Sequence, residues 1–182
     1  MKRISHLDSR GRVRMVDVST KAVTAREAMA RGRVRMRAAT LRLLRDQRSP
    51  KGDVLTTAHL AGVMAAKRTG DLIPLAHPLL LDGVDIAFTF EARPAAVAIE
   101  ARVRTSGRTG VEMEALTAVA LAGLTLIDML KAVDRTLELT DVAIWEKRGG
   151  RSGEWSRAIA ETGATRKRPR GPVRAAGART NR

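Results

Sequence analysis

Residues 109–131 (TGVEMEALTAVALAGLTLIDMLK) constrain the fold of this chain more than any other segment. The pattern predicts one long helix with charge only at its ends, where Glu112 and Glu114 open it and Asp128 and Lys131 close it. The thirteen residues between Glu114 and Asp128 carry no charge. A helix that is apolar around its whole circumference is buried on more than one side. We therefore expect this helix to pack on a sheet and on a further surface, most simply another subunit.

The charged ends of this helix continue one of its apolar faces. A rotation of about 100° per residue aligns six side chains along the helix: Glu114, Thr117, Leu121, Leu124, Asp128 and Lys131. Burying such charges without partners would cost several kcal/mol, and solubility does not require them there. This placement is typical of a functional site.

Two structural explanations compete with a site. Residues Thr109 to Glu112 match a capping box, so Glu112 could serve only the backbone donors at the helix start. Asp128 and Lys131 are three residues apart and could form a helix-surface ion pair worth about 0.2–0.5 kcal/mol. The helix pattern alone leaves these explanations open.

The composition excludes several classes of protein. A chain of 182 residues with 44% hydrophobic content suits one globular domain. The absence of cysteine excludes disulfides, thiolate nucleophiles and Cys-bound metals, and the three histidines are too scattered to suggest a metal site. We find no apolar signal segment and no uncharged run near the roughly 20 residues that span a bilayer, so we expect a cytoplasmic protein with no membrane segment.

The net charge of +15 is unevenly distributed. Residues 163–182 contain seven of the excess positive charges, no acidic residue and several prolines and glycines, which predicts a disordered basic tail. Eight excess charges remain for residues 1–162, which we expect to form a single domain. A folded domain with this excess favours an anionic ligand.

Hydrophobic periodicity predicts the remaining elements. Residues 12–18 suggest a short strand or arm, and an arginine-rich edge strand is expected at residues 28–37. Further strands are predicted at residues 84–90 and 97–103, joined as a hairpin, and at 137–145; helices are predicted at 40–47 and from the Asp53 cap to Arg68. The order β-α-β-β-α-β predicts an α+β fold, a ferredoxin-like sandwich with helices on one face of an antiparallel sheet.

Three further segments carry chemistry, although each is weak alone. Lys51 stands at a helix entrance, where a solvated lysine is the simpler explanation. Lys67 and Arg68 precede His77, which is held between two prolines and is well placed to contact a ligand. Residues 146–153 (EKRGGRSG) combine cations with glycines that expose backbone N–H groups, as an anion site requires.

Together these segments resemble the molybdenum cofactor biosynthesis protein C family, the cyclic pyranopterin monophosphate synthases. The resemblance covers Met15 to Trp155, where six motifs occur in order: MVDVS, KGDVL, AAKRTGDLIPLAHPL, TGVEMEALTA, IDMLKAVD and GGRSGEW. The family usually has Cys where this chain has Ala76, and commonly Lys where it has Arg151. Neither departure removes a residue that the resemblance makes catalytic.

The resemblance implies a lyase that converts 3′,8-cyclo-7,8-dihydroguanosine 5′-triphosphate into cyclic pyranopterin monophosphate and diphosphate. It implies no redox cofactor and no metal. It also implies a homohexamer, a trimer of dimers, in which each site lies at a dimer interface.

The resemblance also assigns roles to residues. General acid/base catalysis falls to Asp128, Lys131 and Lys51. Base recognition falls to Leu75, Ala76, His77, Glu112, Met113 and Glu114, and triphosphate binding to Lys67, Arg68, Lys147 and the Gly-rich loop. Asp17, Lys21 and Arg26 are expected to reach in from a neighbouring subunit.

The competing hypothesis is an RNA-binding module, because RNA-recognition sheets share this topology and the chain is basic. Those sheets require exposed aromatic side chains for base stacking. Phe88 and Phe90 instead continue the apolar face of their predicted strand. The sequence therefore favours an enzyme over a nucleic-acid-binding protein.

Overall fold

The structure, a computed structural model, describes residues 10–151 and 153–157. The strands are β1 (Thr24–Arg35), β2 (Gly83–Ala92), β3 (Ala95–Gly107), β4 (Glu138–Arg148) and β5 (Trp155–Ser156). The helices are α1 (Ala38–Arg45), α2 (Val54–Lys67), α3 (Thr69–Leu72) and α4 (Glu112–Leu130). The predicted helices and strands are confirmed, with shifts of a few residues at their ends.

The five strands form one antiparallel sheet in the order β2-β3-β1-β4-β5. The helices pack on this sheet, which confirms the α+β, ferredoxin-like fold. The expectation of an arginine-rich edge strand is wrong, because β1 lies in the middle of the sheet and pairs with both β3 and β4. Its arginines mark the open face of the sheet, where Arg31 Nε donates to Glu100 Oε2 at 2.7 Å and Arg33 Nε donates to Glu91 Oε2 at 2.8 Å.

The core lies between the sheet and α4. Small residues let the elements approach closely: a Cβ on Gly62 would come within 3.0 Å of the Ala118 carbonyl oxygen, and one on Gly32 within 2.7 Å of Val119 Cγ1. Phe88 and Phe90 pack against this core, as the sequence predicted, so they are not a base-stacking surface. The abundance of Ala and Gly therefore reflects tight helix–helix and helix–sheet contacts.

Helix α4 is long and apolar enough to cross a membrane, and no other helix in residues 10–151 or 153–157 meets that test. Ala118, Ala122 and Leu126 are nevertheless completely buried against the domain. The helix is therefore the core helix of a folded domain. Its opposite side remains open, because Leu124 is 51% exposed.

The chain preceding β1 is an arm, one of the two forms predicted for this segment. Residues 12–18 lack regular structure apart from a single bridge residue at Val13. Val13 is 69% exposed and Met15 is 47% exposed, so apolar side chains of the arm lie outside the core.

The predicted basic tail, residues 163–182, lies outside the described residues. We expect a protein that ends at Thr162 to keep the melting temperature and kcat of the full chain, because the tail sequence cannot form a core. Thermal unfolding and turnover of the two proteins, measured side by side, test this prediction. A substantial loss of either quantity would mean that the tail docks on the domain or the site.

Candidate functional site

The C-terminal end of α4 gathers the three residues predicted to be catalytic. Lys131 Nζ donates to Asp128 Oδ1 at 2.6 Å. Lys51 Nζ donates to the Asp128 carbonyl oxygen at 2.9 Å and lies 3.7 Å from Asp128 Oδ2. The predicted ion pair between Asp128 and Lys131 on the helix surface is therefore present. It does not explain why Lys51, which lies before α2, also contacts Asp128.

The antiparallel packing of α2 on α4 brings Lys51 to this cluster. The Asp53 carboxylate caps α2 by accepting from Thr56 N at 3.0 Å, which fixes the turn after Lys51. The hydrogen bond and charge of Lys131, together with the charge of Lys51, hold the pKa of the Asp128 carboxyl below its ordinary value. One carboxylate thus serves two ammonium groups, an arrangement suited to proton transfer.

A second group of predicted residues surrounds a pocket at the N-terminal end of α4. The pocket has a volume of about 440 Å³. Its walls come from the chain before and within β1, the β3–α4 turn, the end of β4 and the Gly-rich loop: Thr20, Lys21, Ala22, Thr24, Arg26, Glu27, Arg108, Thr109, Gly110, Glu112, Lys147, Arg148, Gly149, Gly150 and Arg151. Six lysines and arginines against two glutamates make the pocket suitable for an anion.

Arg26 and the glycines hold the walls of this pocket together. Arg26 Nε donates to the Gly107 carbonyl oxygen at 2.9 Å and Arg26 Nη2 to that of Arg108 at 3.1 Å. Gly149 and Gly150 have φ values of 90° and 71°, and a Cβ on Gly150 would collide with the Arg26 guanidinium. The loop therefore needs glycine for both its conformation and its approach to β1.

Glu112 faces this pocket and does not form the capping box. No side chain caps α4 at Val111, so that explanation for Glu112 is wrong. Lys147 Nζ, on β4, donates to Glu112 Oε1 at 2.9 Å, and both side chains are about one-third exposed. Since the ammonium group is only partly buried, it can exchange this carboxylate for a ligand phosphate.

Glu114 is the one carboxyl of α4 that lies in the core. It is 4% exposed, and burial, with a smaller contribution from the charge of Glu112, raises its pKa to about 7. Glu114 can therefore gain or lose a proton near neutral pH.

Ionisation of Glu114 is expected to weaken the fold. The pKa of Glu114 is higher in the folded chain than the ordinary 4.5, so folding favours the protonated carboxyl. The stability that this form contributes is fully present below about pH 4.5 and is lost as the pH rises through about 7. We expect Glu114→Gln to match wild type at pH 4 and to melt at least about 2–4 °C higher at pH 8. Melting temperatures of both proteins across this range test the prediction, and parallel curves would contradict it.

The other predicted binding residues do not line the pocket. Leu75, Ala76 and His77 are half-buried, and His77 Nε2 lies 2.8 Å from the Val16 carbonyl oxygen of the arm. Asp17, on the same arm, is exposed and accepts from Ser19 N at 2.8 Å, a bond that lowers its pKa.

Three further predicted binding residues belong to the helices. Lys67 and Arg68 are exposed at the C-terminal end of α2. Met113 is 37% exposed in the first turn of α4.

The two groups of residues lie at opposite ends of α4. Glu112 and Asp128 are sixteen residues apart on one helix, which separates them by about 24 Å at 1.5 Å per residue. A single chain therefore does not place the cationic pocket and the Lys51–Asp128–Lys131 cluster around one small molecule.

Sequence reasoning missed several residues at both ends. Arg108 lines the pocket, and no local pattern distinguishes it from a solvated arginine, whereas Arg148 belongs to the cationic segment 146–153 that the sequence indicated. Asp134, near the catalytic cluster, is 1% exposed. Its signal was available, because Asp-x-Thr after a helix is typical of a side chain that caps a turn. Within the described part of the chain, no group of three His, Asp or Glu residues could hold a metal ion.

Comparison with known proteins shows the family of this chain. The model of the MoaC family matches residues 15–150. The chain is 58% identical over 154 residues to a cyclic pyranopterin monophosphate synthase of Chloroflexus aggregans, covering 85% of this chain and 93% of that protein. It is 56% identical over 157 residues to the protein of that name from Heliobacterium modesticaldum, covering 86% and 99%. The chain belongs to the MoaC family and is a lyase of molybdenum cofactor biosynthesis.

Proposed function

We propose that the chain converts 3′,8-cyclo-7,8-dihydroguanosine 5′-triphosphate into cyclic pyranopterin monophosphate and diphosphate. The observation that carries the proposal is a cation-lined pocket of about 440 Å³ in a chain that also holds a lysine–aspartate–lysine cluster. The relatives' name supports the product, since they are called synthases of cyclic pyranopterin monophosphate.

The pocket accounts for triphosphate binding and for the departure of diphosphate. Lys21, Arg26 and Lys147 line it, together with backbone of the Gly-rich loop. Negative charge develops on the leaving diphosphate as the cyclic phosphate forms, and fixed cations stabilise that charge. Lys147 leaves Glu112 to bind phosphate. Lys67 and Arg68 supply further positive charge from the end of α2.

The cluster at the other end of α4 accounts for the proton transfers. Opening and reclosing the purine-derived ring requires proton transfer at nitrogen and carbon. Lys51 and Lys131 are the proton carriers, and Asp128 orients them and stabilises their charged forms. The 2.6 Å bond from Lys131 and the 2.9 Å bond from Lys51 support this role.

Base recognition is assigned to the loop and helix residues near the first turn of α4. Glu112 and Glu114 accept from the N–H groups of the guanine-derived ring, and Met113 packs beside it. Leu75, Ala76 and His77 form the opposite wall. Donors from the base would favour the ionised form of Glu114, whose pKa of about 7 leaves both forms accessible.

The separation of about 24 Å along α4 supports a site shared between chains. In this arrangement the pocket of one chain, with Asp17, Lys21 and Arg26, faces the lysine cluster of a neighbour. The exposed apolar side chains of α2 and α4, Leu60 (61% exposed), Met64 (42%) and Leu124 (51%), would be covered by assembly. We propose a cytoplasmic homohexamer, a trimer of dimers.

Turnover of the proposed substrate tests this function. Purified protein is incubated with the cyclised triphosphate, and the pterin product and diphosphate are measured. We expect both products in equal amounts, and none from Asp128→Asn protein prepared in the same way. Folded protein that binds the substrate but releases neither product would contradict the proposal.

A further inference from the structure

Asp134 is the most deeply buried carboxylate in residues 10–151 and 153–157, and the proposed reaction does not use it. It follows Lys131 by three residues, beyond the end of α4. A buried carboxylate is costly unless donors satisfy both of its oxygens. The hydrogen-bond partners of Asp134 therefore indicate its role in the fold.

Both oxygens of Asp134 are satisfied by donors from two separate segments. Oδ2 accepts from Arg37 N at 2.9 Å and from Thr40 Oγ1 at 2.8 Å. Oδ1 accepts from Thr136 N at 2.9 Å and from Thr136 Oγ1 at 2.7 Å. Arg37 precedes α1 and offers no side-chain cap of its own, so Asp134 caps that helix from a distant part of the chain.

These contacts keep Asp134 ionised. Burial alone would raise the pKa of Asp134, but the hydrogen bonds from Arg37 and Thr136, with that from Thr40, hold it well below its ordinary range. Arg37 Nε, 3.5 Å from Oδ1, adds a positive charge. The carboxylate is therefore a permanent structural anion and not a proton carrier.

Asp134 joins the end of α4, where Lys131 lies, to α1, the helix that precedes Lys51 in the chain. Its backbone N donates to the Leu130 carbonyl oxygen at 3.0 Å, in the turn where Lys131 N donates to Ile127 O at 2.8 Å. On the other side it holds α1, whose C-terminal end is six residues before Lys51. The end of α4 and the start of α1, the helix that leads to Lys51, are thus fixed to one carboxylate.

The side chains of the lysine cluster are exposed, so packing around them does not fix their geometry. The side chains of Asp128 and Lys131 are 59% and 61% exposed, and that of Lys51 is 40% exposed. Exposed ion pairs contribute little to their own geometry. Their spacing has to come from the backbone segments that carry them.

We infer that Asp134 is a positioning residue that sets the spacing of Lys51, Asp128 and Lys131 by tying the end of α4 to the start of α1. The inference rests on the proposed function for its effect on turnover, but its effect on Asp128 can be measured without substrate. The charged groups facing Asp128 are Lys131 and Lys51.

The test compares wild type with Asp134→Asn. The substituted amide has the shape of the carboxylate, but its NH₂ group replaces one oxygen and cannot accept hydrogen bonds. The two bonds that this oxygen accepts in wild type are therefore lost. We expect the pKa of Asp128, followed by its ¹³C carboxyl resonance, to rise towards its ordinary value as the lysines move away. We expect kcat to fall about 100-fold. KM should stay within about twofold, because the residues that Asp134 bonds, Arg37, Thr40 and Thr136, are not among those lining the cationic pocket.

A matched core variant separates positioning from loss of stability. Ile99→Val, in the buried part of β3, should lower the melting temperature without changing the titration of Asp128 or kcat. If Asp134→Asn does not fold, Thr40→Val replaces it, because it removes only the hydroxyl link to α1. A smaller change in the same two readouts is then expected.

The outcomes distinguish the two proposals. A lower melting temperature with unchanged Asp128 titration and unchanged kcat would overturn the inference and leave Asp134 a purely structural cap. A rise in KM alone would overturn it as well. If folded wild-type protein releases neither product, the proposed function fails, whereas the Asp128 titration still decides whether Asp134 sets the spacing.

Discussion

Asp128→Asn and Lys131→Ala are each expected to reduce turnover of the proposed substrate by about 10³-fold or more, within the range for lost general acid–base catalysis. The carboxylate of Asp128 contacts both lysines, at 2.6 Å for Lys131 and 3.7 Å for Lys51, so either substitution removes a charge from the proton-transfer cluster. Because these side chains are about 60% exposed, the melting temperature should change little. Single-turnover assays and thermal unfolding measure the two effects.

The chain offers a matched control for these substitutions. Arg104 and Asp85 form an ion pair of 2.6 Å on the open face of the sheet, with 44% and 64% of their side chains exposed. Asp85→Asn therefore makes the same chemical change as Asp128→Asn, and Arg104→Ala likewise removes the cation of an exposed ion pair, both away from α4. We expect both to keep full activity. Near wild-type turnover in Asp128→Asn or Lys131→Ala would remove that residue from the centre of the mechanism.

The fold was largely predictable because its signals are local. Strict alternation in residues 84–90 and 97–103 follows from a sheet with one face on the core, and the structure places these residues in β2 and β3. The position of β1 was not predictable from its arginines. Alternating charge marks a strand whose outer face meets water, but it does not distinguish an edge strand from a central one whose arginines pair with neighbouring glutamates.

The site was predictable only as a set of residues, not as an arrangement. Motifs identify Lys51, Asp128 and Lys131, and the structure brings them together because α2 runs antiparallel to α4. No spacing in the sequence indicates that Glu112 pairs with Lys147, since that contact spans 35 residues and depends on the sheet. The network around Asp134 likewise joins residues 94 and 97 positions apart. Such contacts follow from tertiary packing and produce no periodic pattern in the sequence.

Mixing two inactive variants is expected to restore activity if each site is shared. Arg26→Ala damages the pocket, where Arg26 binds the carbonyl oxygens of Gly107 and Arg108, and Lys131→Ala damages the cluster. A neighbouring pair of the two variants contains one site with an intact pocket and an intact cluster. After co-refolding of equal amounts, random assembly should return about one quarter of wild-type activity. Lys147→Ala replaces Arg26→Ala if that protein does not fold.

A second mixture distinguishes a site shared between two chains from activity that returns only because the variants fold better together. Wild type is co-refolded with an equal amount of the double variant Arg26→Ala/Lys131→Ala. Shared sites need two wild-type chains, so about one quarter of the activity should remain, whereas sites within single chains would leave about one half. If the mixed single variants stay inactive and the double variant leaves one half, each chain holds its own site. Pocket and cluster would then not act on the same substrate, because about 24 Å of continuous helix keeps them apart within one chain. An active monomer by light scattering would lead to the same conclusion.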